Sequence, residues 1–198
     1  MIRLFLSAPF SAKVGLVAIS GYVLVALLAP WIAPYKETAI VGASYELWSD
    51  QFMLGTDNIG RDMLTRLIYG ARNTIGIAFA TVVLAFLIGG ITGMLAAILG
   101  GWYDMLISRV VDILMAIPSL IFALLLLTIF GTSIPSLVMI IALLDSTRVF
   151  RIARSAAMNV VVMEFVEAAR LRGEGMGWVI RKEVLPNITA PLLAEFGL

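Results

Sequence analysis

From Asn73 to Tyr103 the chain reads NTIGIAFATVVLAFLIGGITGMLAAILGGWY, 31 residues without a charge. A helix rises about 1.5 Å per residue and the hydrocarbon core of a bilayer is about 30 Å thick, so about 20 apolar residues cross it once. The stretch is long enough to span a membrane. Gly89, Gly90 and Gly93 offer close approach to another helix, and Gly100 and Gly101 end the run. Toward the N-terminus, Val14 to Ala33 adds 20 more uncharged residues. Arg3 and Lys13 precede it as in a signal peptide, but the run exceeds the about 7 to 15 residues of a signal core. Ala29 is also followed by Pro30, a poor cleavage context, so the run reads as an uncleaved first span. Pro30 and Pro34 mark its outer end, and Tyr22 and Trp31 suit the interfaces. Between the two runs, residues 34–72 turn polar, with five acids (Glu37, Glu46, Asp50, Asp57, Asp62) and four bases (Lys36, Arg61, Arg66, Arg72). They form an aqueous loop.

Toward the C-terminus the pattern is harder to divide. Ile113 to Leu144 is uncharged over 32 residues, long for one crossing and short for two. Glycine and proline together punctuate helices, so Gly131-Thr-Ser-Ile-Pro135 marks a tight turn. Span three then falls at about 106–130 and span four at about 136–154, each with charges near its inner end. Pro118 kinks span three, as a structural bend or as a hinge. Short inner loops carry the Lys/Arg excess. Seven of the 14 basic residues (Arg148, Arg151, Arg154, Arg170, Arg172, Arg181, Lys182) lie at and beyond the end of span four, with three acids among them. Four crossings place them on the side of Arg3 and Lys13 and leave the near-balanced 34–72 loop outside, whereas three would set the two basic regions in opposite compartments. The expectation is four crossings with a cytoplasmic N-terminus. After Pro191 the sequence Leu-Leu-Ala-Glu-Phe-Gly-Leu reads as the start of a further helix cut short, so the chain is expected to be a fragment.

The composition agrees. At 61% hydrophobic, 14% charged and a mean hydropathy of +1.02, 198 residues are more apolar than a soluble domain can conceal. The fold class expected is all-α, a polytopic transmembrane helical bundle. It divides into an N-terminal region at 1–72, holding the first span and outer loop, and a second region at 73–198. Fourteen basic and 13 acidic residues nearly cancel, which gives no argument for nucleic acid. The absence of cysteine and histidine excludes disulfides, thiolate nucleophiles and histidine metal sites or bases. The lysines are Lys13, Lys36 and Lys182, none after a glycine, so no phosphate loop ending in Gly-Lys-Ser/Thr exists and the chain does not itself hydrolyse ATP. Neither enzymatic activity nor a cofactor is expected.

The stretch from Met163 to Asn187 reads as two short helices separated by glycine. Glu164 and Glu167 precede Arg170 and Arg172, in the order that suits a helix dipole, and Gly173 suits a left-handed position after the helix end. Trp178 to Val184 forms the second piece, stopped by Pro186. Small Ala168 and Ala169 would let the first helix sit close in a partner's groove.

Glu167-Ala-Ala169, then Gly173, then Leu185-Pro186 resembles the EAA loop of permease subunits in ATP-binding cassette importers. Leu54-Gly-Thr-Asp57-Asn-Ile-Gly60-Arg-Asp62, with Arg66-Leu-Ile-Tyr-Gly-Ala-Arg72, resembles the segment before the second span in the dipeptide, oligopeptide and nickel permeases. Gly101-Trp-Tyr-Asp104 and Asp112-Ile-Leu-Met-Ala-Ile-Pro118 are similar to the same group, so the likeness covers nearly the whole chain. It implies a type I importer permease fold, truncated here, because family members continue through two more spans. It implies alternating-access import of di- or oligopeptides, and a bacterial or archaeal plasma membrane. The implied partners are ATPase subunits, a second homologous permease subunit, an extracytoplasmic substrate-binding protein and the lipid bilayer. Glu167, Ala168, Ala169 and Gly173 would dock into the ATPase, with Leu185 and Pro186 orienting the return to the membrane. Glu183 departs from the pattern, which has an apolar residue or histidine there.

Rival readings accompany these. An amphipathic surface helix with a glycine cap would also produce Glu167 to Gly173. A turn-rich loop would produce Leu54 to Asp62 without any ligand contact. Arg109 with Asp112, and Asp145 with Arg148, stand at i,i+3 spacing and either pair near a gate or snorkel to the interface. A secondary transporter or channel would use Asp112 and Asp145 for ions or protons, and a membrane scaffold would transport nothing.

Overall fold

Where no water reaches the backbone, every N–H and C=O must be satisfied within the segment, and for a single chain of apolar runs that means helices. The computed structural model describes residues 9–196. Arg3, part of the orientation argument, and residues 197–198 lie outside the described residues. The chain divides into two compact units, Met1–Ile77 and Ala78–Leu198. The described residues are helical apart from turns, loops and one isolated antiparallel bridge, Thr56 to Asp62.

In the first unit, α1 (Phe10–Ile32) buries only Ala26 and Ala29 and leaves Leu16, Ile19, Leu24 and Leu27 exposed. Lipid is the solvent such a surface needs. Pro30 falls in the last turn of α1, and the helix stops two residues later. α2 (Met63–Leu99) begins in this unit, ten residues before the uncharged run, and continues into the second. Freedom from charge marks where lipid can begin, whereas the helix itself starts at its cap, Asp62. It ends at Gly100, whose φ of 59° is left-handed.

In the second unit, α3 (Gly101–Ala116) and α4 (Ser119–Phe130) replace the expected single kinked span, and the angle between them is 94°. The cause is local. Ile117 precedes a proline and is driven to extended backbone (φ −89°, ψ 130°), so the helix ends rather than bends. The turn expected at 131–135 is present: Gly131 takes φ 84°, and Ser133 caps α5 (Ile134–Val161) by accepting from the Ser136 N–H at 3.3 Å. α6 (Glu164–Leu171), α7 (Met176–Val179), a π-helical turn (Ile180–Val184) and α8 (Leu185–Phe196) follow.

By length and apolarity, α1 and α2 each suffice to cross a bilayer, and α3 with α4 make a third crossing or a re-entrant loop. The fourth expected span falls on α5, whose 28 residues extend about 42 Å. Length suffices there, but Asp145, Arg148, Arg151 and Arg154 interrupt its apolar run. From sequence, a helix is expected to stop at Pro186 and another to start after Pro191. Instead α7, the π turn and α8 run on without a break, with Pro191 inside α8. A widening to an i→i−5 bond, Leu185 N–H to the Ile180 carbonyl, stands just before Pro186 and lets the helix pass a residue that has no N–H to donate.

The core of the second unit lies where α5, α6, the π turn and α8 meet. Val149, Ala153 and Ala157 of α5 pack with Val166 and Ala169 of α6, Val184, and Ile188 and Leu192 of α8, joined by Met94 of α2. Gly89 and Gly93 allow the close approach expected of them. A Cβ at Gly89 would overlap the Ser146 carbonyl oxygen and lie 2.9 Å from the Phe150 nitrogen, and one at Gly93 would lie 2.7 Å from the Phe150 oxygen. Gly90 meets nothing within 4 Å and takes no part in that contact.

Candidate functional site

α6 is eight residues long and would be marginal alone in water, so its ends and one face must be held. At the start, the Met163 carbonyl accepts from Val166 N–H at 3.0 Å, and Glu164 and Glu167 occupy the first turn. At the end, Gly173 has φ 83°, its N–H reaches the Arg170 carbonyl at 2.9 Å, and the Glu174 N–H reaches the Ala169 carbonyl at 3.2 Å. These two bonds form a Schellman closure, which needs a residue at ease in the left-handed region. Val166 and Ala169, three apart and so on one face, are 0% exposed in the core described above.

The opposite face is uncovered among the described residues. Leu171 is 82% exposed and Phe165 42%, with Glu167, Arg170 and Arg172 exposed around them. Of the residues singled out from sequence, Glu167 and Gly173 lie on this outer surface, Ala168 is half-buried, and Ala169 faces inward. Leu185 and Pro186 are exposed at the start of α8, and Glu183 is half-buried beside the fully buried Val184. Phe165 and Leu171 were missed as surface residues. Leu171 stands off the 166/169 face, whereas Phe165, four residues before Ala169, borders that face and is only partly exposed.

The charged residues of α3 and α5 are joined differently from their sequence spacing. Among the described residues no ion pair links Arg109 to Asp112 or Asp145 to Arg148. Instead Arg148 Nε meets Glu195 Oε1 of α8 at 3.4 Å, and Arg154 grips Asp104 of α3 through Nε and through Nη2, the latter at 2.6 Å from Oδ2. The second pair is a two-point fork, the stronger arrangement. Its partners are 50 residues apart, and no local periodicity could have paired them.

In the first unit, the segment Leu54–Asp62 is a hydrogen-bonded knot. Asp57 Oδ1 accepts from the N–H groups of Ile59 and Arg61, both at 2.9 Å, and Oδ2 from Arg61 Nε at 2.7 Å and Arg66 Nη1 at 3.1 Å. Burial pushes the Asp57 carboxyl up, but the Arg61 and Ile59 backbone donors and the Arg61 guanidinium outweigh it and hold its pKa below the ordinary value. Asp62 caps α2, accepting from Thr65 N–H at 2.7 Å. Gly55 (φ 71°) and Gly60 (φ 82°) are left-handed and pressed against the carbonyl oxygens of Glu46 and Gly42. With four bonds, the Asp57 carboxylate has no acceptor site left for a ligand. The motif builds the loop, as the turn reading held.

Residues 85–198 match the family described as binding-protein-dependent transport system inner membrane component. The chain is 36% identical over 193 residues to a dipeptide transport system permease protein DppC from Alkalihalophilus pseudofirmus, covering 94% of this chain and 62% of that relative. It is 33% identical over 194 residues to the DppC of Haemophilus influenzae, covering 94% and 66%. With a di/tripeptide transport system permease protein DppC of Pseudomonas aeruginosa it shares 36% identity over 191 residues, covering 93% and 63%. The chain thus spans less than two thirds of the length of these relatives.

Proposed function

The chain belongs to the binding-protein-dependent transport system inner membrane component family, and from that premise we propose that it serves in the permease subunit of a peptide importer, driven by separate ATPase subunits that dock on α6. The observation that carries this reading is the division of α6 into two faces. One face is locked by Val166 and Ala169 into the core that holds α5 and α8, and the other presents Glu167 and Leu171, with Phe165 partly exposed at the edge between the two faces. A partner that pushes or pulls on the outer face moves α5 with it, because close-packed side chains transmit displacement. A freely snorkelling surface helix would have no such purchase.

In this reading the N-terminus and α6 face the cytoplasm, where the basic residues cluster, and the Asp57 knot faces outward. A second homologous permease completes the transport path, and a substrate-binding protein delivers peptide from outside. Di- and tripeptides are the cargo named for the relatives, and they are the cargo proposed here. The test is the complete subunit assembled with its ATPases and binding protein in proteoliposomes. Glu167→Arg is expected to abolish stimulation of ATP hydrolysis by the loaded binding protein. Wild-type stimulation in that variant would show that energy does not enter through α6.

A further inference from the structure

We propose that Asp145 and Arg148 of α5, with Glu195 of α8, form a recognition site for the two charged ends of a small peptide on the transport path. The inference rests on the peptide-import reading above. Asp145 stands twelfth of the 28 residues of α5, about 17 Å from its start, so the charge lies inside the length of the helix rather than at either end. Ionisable groups within a membrane span face a protein interior or an aqueous cavity. Here two clefts flank them, of about 230 and 350 Å³, the second of a size that admits small molecules. Phe86 and Glu195 line the first, Met115, Pro118 and Thr147 the second, and both Asp145 and Arg148 border each one.

The three groups are poised rather than closed. Arg148 touches Glu195 through one nitrogen at 3.4 Å while its side chain stays 72% exposed, so most of its five donors have no partner among the described residues. Asp145 makes no ion pair or side-chain hydrogen bond among the described residues. The contrast is Asp104 with Arg154, which share two bonds and have little capacity left. The charge pattern selects the ligand class. Two carboxylates against one guanidinium disfavour a bare anion, and a bare cation leaves the free donors of Arg148 unused. A dipolar molecule satisfies both, its carboxylate on the Arg148 fork and its ammonium on Asp145 or Glu195.

The test uses the complete transporter with its binding protein saturated by each peptide, measuring peptide delivered per ATP hydrolysed. A dipeptide is compared with its C-terminal amide, in wild type, Asp145→Asn, Arg148→Ala and Arg148→Lys. Loss of one charge-assisted contact predicts about a tenfold fall for Asp145→Asn and Arg148→Ala with the free dipeptide. Arg148→Lys keeps the charge and is expected to recover most of the loss. Arg148→Ala is expected to handle the amide no worse than wild type does, because the two changes remove the same contact. Unchanged delivery in both Asp145→Asn and Arg148→Ala overturns the inference, as does an Arg148→Ala loss equally large for dipeptide and amide. Failure of wild type to deliver any peptide while hydrolysing ATP refutes the import reading itself, and this inference with it.

Discussion

Gly89 and Gly90 are adjacent on α2, yet the packing demands opposite outcomes when each becomes alanine. At Gly90 a Cβ meets open space, so Gly90→Ala gains only the helix propensity of alanine, about 1 kcal/mol. At Gly89 the added carbon would overlap the Ser146 carbonyl oxygen and sit 2.9 Å from both the Phe150 nitrogen and the Val149 Cβ. Two of those three neighbours are backbone and cannot rotate away, so α2 and α5 must separate. Overpacking of this kind costs about 1–3 kcal/mol, and rigid backbone neighbours place Gly89→Ala at the upper end. The propensity gain is common to both variants and cancels in the comparison. A gap near 3 kcal/mol corresponds to about 5 °C or more in melting temperature for a chain of this size. The complete subunit, solubilised and heated in steps before size-exclusion with fluorescence detection, reads that gap. Gly89→Ala melting at or above Gly90→Ala would refute the close α2–α5 contact.

Other perturbations follow from the same contacts. Gly173→Ala forces an L-residue into φ 83°, at a cost of about 1–2 kcal/mol, while Gly175→Ala at φ −70° with open space is tolerated. Limited trypsin cleavage after Arg170 and Arg172 should rise in the first variant and not in the second. Removing either partner of the half-buried Asp104–Arg154 fork should cost about 1–3 kcal/mol in thermal stability. A double-mutant cycle with alanine should return a coupling of about 1 kcal/mol or more, and additivity would show the fork to be idle. Asp57 has a lowered pKa, so its contribution to the outer loop is present above the usual carboxylate range and is lost as pH falls through the lowered value. Protease resistance of the 34–62 loop should therefore decline at acid pH in wild type, and already be low at neutral pH in Asp57→Asn.

Much of this architecture was legible from local pattern alone. The 20- and 31-residue uncharged runs located α1 and α2, Gly131 to Pro135 located a turn, and Gly173 located a helix end, because each depends on residues within a few positions. Pro118 and Pro186 were misjudged for a shared reason. Whether a proline breaks a helix or is passed within it depends on backbone geometry next to it, an extended Ile117 in one case and a π turn in the other. The ion pairs were illegible because Asp104 with Arg154, and Arg148 with Glu195, join helices far apart in sequence, whereas the i,i+3 spacings visible in the sequence stayed unpaired. On α6, the small residue Ala169 suggested a docking surface from its size. Its burial shows that smallness there serves the inner contact, and the outer face belongs to larger side chains.

The central claim, that α6 is gripped by an ATPase subunit, can be tested directly by cross-linking, because these 198 residues contain no cysteine and any elsewhere in the subunit can be replaced by serine. Single cysteines at Leu171, Phe165 and Ala169 in the complete subunit, paired with cysteines around the candidate cleft of the ATPase, would be oxidised in membranes and scored for cross-linked product. The account predicts cross-links from positions 171 and 165 whose yield changes with ATP, and none from buried position 169. Absence of product at 171 and 165, in a complex that still imports its substrate, would contradict it.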